Sequence, residues 1–409
     1  MPLPSEKEEV WRYSPIDALD LDAYRPVGNE TAPPLGPAGT AFLADVAAQF
    51  PDRSALLVTV DGRLLPQAPV DLPGGVAVRG VVDGGGGEPP LGSVLEGGDA
   101  LVRLNDAFLP DVVVVDVAGG SVVPSPLILV HWFGGGRGEG TSLAPAAFPR
   151  TVVRVGPGAD AAVVEVFAGA PSAGKSLVVP VTEVDVGEGA RLAYVSLQTL
   201  GSRAWYVGRL SGRVERDGAL RAFTMGLGGS YDRIRTDVAA VGRGAWTELR
   251  SSYFGSGDQV HDVRTLQDHA APRTTSDLLC KGAVAGTSRS VYSGLIRVRH
   301  GAVRAEAMQT NRNLVLSEGA HADSVPNLDI QENDVRCSHA STVGPIDEDQ
   351  RYYLESRGIP PEEADRLIVL GFFDDIVDQV PVLAAAPWLR REVGTRLATA
   401  LEAASGTHG

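Results

Sequence analysis

The sequence predicts a mainly β fold, a parallel β-helix that follows a small N-terminal helical region and precedes C-terminal helices. Three observations carry this prediction: a recurring Gly-Ala step, apolar β-branched runs between turn residues, and a change to helical periodicity after Gly344. The Gly-Ala steps are Gly158-Ala159, Gly189-Ala190, Gly218-Ala219, Gly244-Ala245, Gly301-Ala302 and Gly319-Ala320. Their spacings are 31, 29, 26, 57 and 18 residues, and His269-Ala270 lies in the middle of the 57-residue interval. A small residue at each corner lets adjacent coils of a solenoid stack closely.

Residues 1–98 are predicted to form the helical and irregular N-terminal region. Ser5–Tyr13 is predicted as a short helix because Ser5 and Glu8 have the spacing of a capping box. Thr40–Phe50 has apolar residues at four-residue spacing, which predicts a second helix. Asp83–Gly98 is rich in glycine and proline and indicates a surface loop, so the domain boundary is placed near residue 98.

Residues 99–344 are predicted to form the β-helix. Val112–Val117 and Leu127–Phe133 are apolar runs between turn residues, a pattern typical of buried strands. A β-sandwich also contains many short strands separated by turns, and it is the competing interpretation. The recurring corner favours the β-helix.

One stretch of this region matches the P-loop pattern, from Gly169 to Ser176. A P-loop must open a helix, so that its backbone amides and the helix dipole face the phosphates. The following residues, Leu177–Val181, are mostly β-branched, and Pro180 would break a helix early. We therefore expect a strand here and no nucleotide site.

Residues 345–409 are predicted to be helical. Asp347–Ser356 forms one helix with Asp347 as its N-cap, and Pro360-Pro361-Glu362-Glu363 begins a second one. The second helix is apolar over more than one face, which fits either contact with both its own chain and a partner or an ordinary buried helix. Pro387–Ala404 is predicted as the last helix.

The composition limits the partners and the cellular location that the chain can be expected to have. The formal net charge of -15 argues against nucleic acid or an anionic membrane as the main partner. Two cysteines, Cys280 and Cys337, do not make a disulfide framework and fit a reducing compartment. The N-terminus does not resemble a signal peptide, and no apolar run approaches the roughly 20 residues of a membrane span. We expect a soluble, cytoplasmic protein.

Cys337 and His339 are the candidate metal ligands. They are two residues apart, so a strand places both on one face. A thiolate and an imidazole together suit iron or zinc. Iron–sulfur clusters usually take four protein ligands, so this chain alone should not hold a stable cluster. The alternative is a buried cysteine that packs as a small apolar residue beside a hydrogen-bonded core histidine.

The remaining histidines do not have metal-site spacing: His131, His261, His269, His300, His321 and His408. His261 and His269 lie in a polar stretch with Asp258, Asp262 and Asp268. That stretch is predicted to be a solvated strand edge.

A dense signature runs from Gly294 to Phe372. It comprises Gly294-Leu295-Ile296-Arg297-Val298, Gln309-Thr310-Asn311-Arg312-Asn313-Leu314, Pro326-Asn327-Leu328-Asp329-Ile330, Cys337-Ser338-His339 and Arg357-Gly358-Ile359. Looser matches are Glu9-Val10-Trp11-Arg12-Tyr13 and Asn105-Asp106-Ala107-Phe108. With these residues the chain resembles the SufB/SufD family of iron–sulfur cluster assembly proteins. SufB-like sequences carry a cysteine where this chain has Asn311 and a glutamate where it has Ala340, so the chain resembles SufD more than SufB.

The resemblance implies a right-handed parallel β-helix and a complex of SufB, SufD and the ATPase SufC. In such a complex the SufB–SufD pair meets through the β-helix, and the C-terminal helices receive SufC. The chain itself would be a non-catalytic assembly subunit with no ATPase of its own. A homodimer is possible when the chain is alone.

The same resemblance implies the functional residues. Cys337 and His339 would be transient ligands of iron or an iron–sulfur cluster shared with SufB, and a flavin is possible at the level of the complex. The partner-binding residues would be Arg357, Gly358, Ala364, Leu367, Ile368, Gly371, Phe372 and Phe373. The alternative function is a carbohydrate-active β-helix enzyme, a polysaccharide lyase or hydrolase.

Overall fold

The structure is a computed structural model that describes residues 4–27, 34–65, 72–80, 91–95, 98–134, 142–170 and 174–406. The strands of this described part are β1 (Tyr24–Pro26), β2 (Ala55–Val60), β3 (Arg63–Leu64), β4 (Val76–Gly80), β5 (Val113–Val117), β6 (Leu127–Phe133), β7 (Ala144–Ala147), β8 (Arg150–Val155), β9 (Asp160–Gly169), β10 (Ser176–Val178), β11 (Val181–Val186), β12 (Arg191–Gln198), β13 (Ala204–Val214), β14 (Ala219–Gly226), β15 (Tyr231–Ala240), β16 (Trp246–Gly255), β17 (Val260–His269), β18 (Thr275–Val284), β19 (Arg289–Val298), β20 (Glu306–Val315), β21 (His321–Ile330) and β22 (Arg336–Gly344). The helices are α1 (Gly36–Gln49), α2 (Ala100–Phe108), α3 (Glu348–Ser356), α4 (Pro361–Val377) and α5 (Ala386–Gly406), with short 3-10 helices at Glu9–Trp11, Ile16–Ala18, Leu21–Ala23 and Leu383–Ala385.

The strands alternate between two sheets that form a parallel β-solenoid of about seven turns. Sheet A has the order β21-β19-β17-β15-β13-β11-β8-β5-β4, and sheet B has the order β22-β20-β18-β16-β14-β12-β9-β6-β2-β3. Most turns contribute one strand to each sheet along these paths, and β1, β7 and β10 are additional strands of sheet A that pair outside its path. In the described part of the chain, antiparallel pairing is confined to the pairs β2–β3 and β4–β5. The parallel pairing confirms the β-helix and excludes the sandwich, whose sheets are antiparallel.

The corner from sheet A to sheet B combines a left-handed backbone residue with a small buried residue. The predicted steps that occupy it are Gly158-Ala159, Gly189-Ala190 and Gly244-Ala245. Their glycines have φ of 67°, 61° and 76°, values that glycine adopts without steric cost. The alanines are buried, and a backbone bond runs from each coil to the next, as from the Arg191 N–H to the Ala159 carbonyl at 2.8 Å.

Three coils keep this corner without glycine in the left-handed position. The residue pairs are Asp217-Gly218, Arg273-Thr274 and Arg304-Ala305, and their first residues have φ of 52°, 58° and 60°. The predicted steps at residues 218, 269 and 301 are therefore offset from the true corner, and Gly319-Ala320 lies at the opposite corner, between β20 and β21. The repeat continues in the backbone where the sequence no longer shows it.

Side chains between the two sheets form one core, and the terminal segments cover the outer faces. The inner core is aliphatic in the N-terminal turns, for example at Val153, Val184 and Leu192. The outer face of sheet B packs against α1, α4 and α5, whereas the outer face of sheet A packs against the N-terminal segment and α2. The strands in the middle of the molecule are consequently buried on both faces.

The histidines of β17 correct one prediction. His261 and His269 are both buried, so the expected solvated edge is wrong for them. His261 Nδ1 lies 3.0 Å from Asp232, and the His269 ring lies 2.7 Å from both Thr274 and Ser276. Each histidine points into the solenoid, where the neighbouring coil supplies the partner of His261 and the corner and next strand of the same coil supply those of His269.

The predicted helices near the N-terminus are present in part. The Ser5–Tyr13 segment contains only the 3-10 helix Glu9–Trp11, with the Ser5 N–H donating to Glu8 at 3.2 Å. The helix predicted at Thr40–Phe50 is confirmed as α1. Strands β2, β3 and β4 already belong to the solenoid sheets, although they lie within residues 1–98. Most of the predicted Asp83–Gly98 loop lies outside the described residues.

The structure contains the predicted C-terminal helices, and it has a strand after the P-loop-like stretch, as expected. Asp347 caps α3 by accepting from the N–H groups of Asp349 and Gln350, and α4 and α5 follow as predicted. Residues 171–173 of the P-loop-like stretch lie outside the described residues, but Lys175 is followed by strand β10 and not by a helix. None of the described helices is long and apolar enough to cross a membrane.

Candidate functional site

The candidate ligands Cys337 and His339 lie on β22, the last strand of sheet B. In the parallel register Cys337 pairs with Ala307 and His339 pairs with Gln309 of β20. Paired residues of neighbouring strands point to the same side of a sheet, and Ala307 and Gln309 are buried inside the solenoid. Cys337 and His339 therefore face the interior side of the final turn, where sheet B ends.

The two side chains differ in exposure. Cys337 is half-buried against Ile296, Val298 and Ala307, and this burial raises the pKa of its thiol. His339 is exposed. Because only the thiolate is a good metal ligand, a metal ion that bound at Cys337 would have to displace the thiol proton. The pair thus consists of one half-buried thiol and one exposed imidazole.

The end of the solenoid around this pair is rimmed by apolar side chains. Leu328 and Ile330 on β21 and Val343 on β22 are between 38% and 43% exposed. Ser324 and Ser341 join the two strands by a 2.7 Å hydrogen bond. A cluster of exposed aliphatic residues at the end of a stack of strands is the usual mark of an interaction surface.

Cys280 does not belong to this site. It is buried, and burial raises the pKa of its thiol to about 12 although Asn311 and Ser251 hydrogen-bond to it. In register it stacks below Asn311 and Ser341, two strands away from β22 and four residues along from Cys337. At roughly 4.8 Å per strand and 3.3 Å per residue, the two cysteines are too far apart to share a metal ion.

Asn311, which stands where SufB-like sequences carry a cysteine, is a buried structural residue. Its Nδ2 donates to the Cys280 carbonyl at 3.3 Å, and its Oδ1 accepts from Asn313 at 2.7 Å. Tyr253 completes the group by donating to Asn313 at 2.5 Å. Across the described residues, no three His, Cys, Asp or Glu side chains come together in a metal-binding group.

The C-terminal helices are attached to sheet B through α4. Buried Lys281 donates to the Phe372 carbonyl at 3.0 Å, forms an ion pair with Asp375, and lies 4.6 Å from the centre of the Phe372 ring. Arg250 reaches Gln379 at 2.8 Å. These contacts fix one side of α4 on the solenoid.

Because one side of α4 packs on the solenoid, the predicted partner-binding residues differ in their exposure. Ala364 and Phe373 are buried within the chain, and Phe373 packs against Phe254 of sheet B. Ile368 and Phe372 are half-buried, whereas the exposed members of the set are Arg357, Gly358, Leu367 and Gly371. Ala364, Phe373 and the half-buried Ile368 and Phe372 thus hold α4 in place, and the four exposed residues form accessible surface.

Two exposed tyrosines extend this surface and were missed by the sequence analysis. Tyr352 and Tyr353 project from α3, and the Arg357 guanidinium lies 5.3 Å from the Tyr353 ring centre. Adjacent tyrosines in a polar helix are a signal that could have identified them, because exposed aromatic residues are enriched in interfaces.

Comparison with known proteins places the chain in a family. Residues 137–372, more than half of the chain, match the family model described as SUF system FeS cluster assembly, SufBD core domain. An iron–sulfur cluster assembly SufBD family protein of Mycobacterium tuberculosis is 37% identical over 54% of this chain and 55% of its own length, so the match spans about half of that relative. SufD of Escherichia coli is 26% identical over 97% of this chain and 89% of its own length. SufD of Bacillus subtilis is 34% identical over 49% of this chain and 46% of its own length. The chain therefore belongs to the SufB/SufD family of iron–sulfur cluster assembly proteins, and within it the chain is similar to SufD.

Proposed function

We propose that this chain is the SufD-like subunit of a cytoplasmic SufB–SufC–SufD assembly complex, in which Cys337 and His339 supply two ligands to iron or to a nascent cluster. The observation that carries the proposal is the position of the two side chains, which share one face of the last strand at the open end of the solenoid. A ligand pair at an open end is accessible both to iron and to a second protein.

A SufB-like partner completes the site. Two ligands fall short of the four that a cluster usually takes, so the others must come from elsewhere. The apolar rim of Leu328, Ile330 and Val343 surrounds the ligand pair, and covering it would bring partner side chains next to Cys337 and His339. In the absence of the partner, a second copy of this chain could cover the same rim, which gives a homodimer.

A SufC-like ATPase binds the exposed side of the C-terminal helices. The exposed residues Tyr352, Tyr353, Arg357 and Leu367 form the contact, while Lys281 anchors the other side of α4 on sheet B. Movement of the ATPase is thereby transmitted to the solenoid through the ion pair between buried Lys281 and exposed Asp375. The chain contributes surface and ligands and performs no hydrolysis of its own.

The ligand assignment is tested by anaerobic co-expression with SufB-like and SufC-like chains. The mass and the iron content of the purified complex are measured for the wild type, Cys337→Ala and His339→Ala. Both variants should assemble normally and lose most of the iron, whereas the matched control His321→Ala, which removes another exposed imidazole, should retain it. Loss of the complex itself in the variants would show that the pair has a packing role.

The docking surface is tested by Leu367→Asp in the same system. This variant should lose the SufC-like chain and keep the SufB-like chain. The matched control is Leu383→Asp, which places the same charge at an exposed leucine outside the proposed surface. Retention of SufC by Leu367→Asp, or its loss from both variants, would contradict the assignment.

A further inference from the structure

Gln309 is a buried amide without hydrogen bonds, directly beside the proposed ligand His339. Its side chain is 1% exposed. Among the residues that the structure describes, neither its Nε2 nor its Oε1 has a hydrogen-bond partner. Buried amide groups are nearly always paired, because an unpaired one loses its water without compensation. An amide in this state is expected where a ligand or a side-chain movement supplies the missing partner.

The surroundings of Gln309 are built to hold its amide. A Cβ atom at Gly294, on the facing sheet, would lie 2.5 Å from Gln309 Nε2 and 2.4 Å from the Tyr292 hydroxyl, so the Gln309 amide packs closely against the Gly294 backbone. Asn311 and Asn313, the next two interior amides of β20, differ from Gln309, since they are bonded to each other and to their neighbours. Gln309 is thus separate from the structural network of the last turns.

The register directs this amide to His339. The two residues are paired on β20 and β22 and point to the same side, with about 4.8 Å between the strands. The His339 ring is exposed and can turn about its side-chain torsions. A carboxamide oxygen one strand away is within reach of an imidazole N–H after such a turn.

We propose that Gln309 is a positioning residue that accepts the N–H of His339 through its Oε1. An imidazole that binds a metal through one nitrogen keeps a single N–H on the other, and this N–H normally has an acceptor that fixes the tautomer and the ring orientation. Gln309 Oε1 is the unpartnered acceptor at this position. The inference rests on the proposed function, because it assigns His339 as a ligand.

The test compares Gln309→Met, which keeps the shape but removes the acceptor, with Gln309→Glu, which keeps an acceptor oxygen. Co²⁺ alone is titrated into the full-length chain under anaerobic conditions, and its affinity is read from the thiolate-to-cobalt absorption band. Gln309→Met should weaken Co²⁺ binding about 10- to 100-fold, the usual effect of losing such an acceptor, and Gln309→Glu should restore most of it. The matched control Gln331→Met, at an exposed position, should bind as the wild type does.

Two further readouts separate positioning from packing. The ¹⁵N shifts of the His339 ring in the Zn²⁺-loaded chain should report one tautomer in the wild type and a mixture in Gln309→Met. The Tm of Gln309→Met should equal or exceed that of the wild type, because an apolar side chain replaces an unpaired buried amide. A fall in Tm with an unchanged tautomer would overturn the inference and make Gln309 a packing residue.

The two proposals fail in different ways. If His339→Ala leaves Co²⁺ affinity unchanged, His339 is not a ligand and the proposed function fails. If His339→Ala removes binding but Gln309→Met does not, the ligand assignment stands and the positioning role of Gln309 is excluded.

Discussion

The interior of the solenoid contains polar groups in its early turns and in its last turn. The buried carboxylate of the early turns is fully hydrogen-bonded, whereas a buried amide of the last turn is not. Glu165 of β9 lies fully buried and accepts from Thr151 at 2.6 Å and Thr182 at 2.9 Å, with Tyr194 as a further donor. His131 lies 2.9 Å from the same carboxylate. In the last turn Gln309 has no partner within the described chain, and His339 is exposed.

The difference follows from what lies on either side of each strand. Strand β9 is paired on both edges, by β6 and β12, so neighbouring coils supply partners for every polar atom of Glu165. Burial raises the pKa of Glu165, but the surrounding donors outweigh burial and hold that pKa below its usual value. Among the described strands, β22 is paired on one edge only, by β20, so His339 has a neighbouring coil on one side alone. Gln309 lies on β20, which is paired on both edges, and its amide still has no partner within the described chain. These two side chains at the end of sheet B are the reason that the function is proposed there.

The largest expected effect on stability comes from removing Glu165, the centre of the hydrogen-bond network in the early turns. Glu165→Ala removes the shared acceptor of four side chains, and we expect the free energy of unfolding to fall by about 3–5 kcal/mol. Chemical denaturation measures this. The control Glu188→Ala removes an exposed carboxylate paired with Arg216 and should cost under about 1 kcal/mol. Similar losses in the two variants would remove the distinction between the regions.

The pH dependence of stability tests the interior at β17. Burial lowers the pKa of His269 to about 4, against 6.5 for an ordinary histidine, and Asp268 only partly offsets it. The unfolded chain therefore binds a proton below pH 6.5 that the folded chain does not bind until about pH 4. His269 thus lowers stability progressively as the pH falls through this window, by about 3 kcal/mol in total.

The variant His269→Gln isolates this contribution, because an amide can bond to Thr274 and Ser276 but does not titrate. Urea denaturation from pH 8 to pH 4 should show a flatter profile for the variant, while His300→Gln, at an exposed position, should follow the wild type. Parallel profiles for His269→Gln and the wild type would show that His269 titrates normally.

The corners should respond in opposite directions to two substitutions. Gly189→Ala places a side chain on a residue with φ of 61° and open space around it, so only the backbone strain counts and we expect a loss of about 1 kcal/mol. Arg273→Gly relieves the same strain at φ of 58° and should gain up to about 1 kcal/mol. Thermal unfolding of both variants measures the pair, and changes of the same sign would contradict a shared corner conformation.

The smallest effect on stability is expected at the proposed ligand. His339→Ala removes an exposed side chain and should change the free energy of unfolding by less than about 0.5 kcal/mol. Denaturation of the isolated chain measures it, alongside the iron content of the complex. A loss of several kcal/mol would place His339 with Glu165, among the residues that hold the fold.

Much of the architecture could be predicted from local pattern. The apolar run Leu127–Phe133, the N-cap at Asp347 and the proline-rich start of α4 each act within a few residues, so the sequence displays them directly. The corner repeat was predicted only where glycine marks it, because Asp217, Arg273 and Arg304 adopt the same backbone conformation without a recognisable residue type. The burial of His261 and His269 was missed because their partners lie on other coils or beyond the next corner.

By itself the sequence favoured a β-helix over a β-sandwich, and it predicted the helices after Gly344 and the placement of Cys337 and His339 on one face of a strand. Only the tertiary structure decided which face is interior, that β22 ends sheet B, and that Gln309 lies beside His339 without a partner. The physical reason is the range of the interactions. Alternation along a strand is set by neighbouring residues, whereas burial and hydrogen bonding are set by coils about 30 residues away, whose register no local pattern encodes.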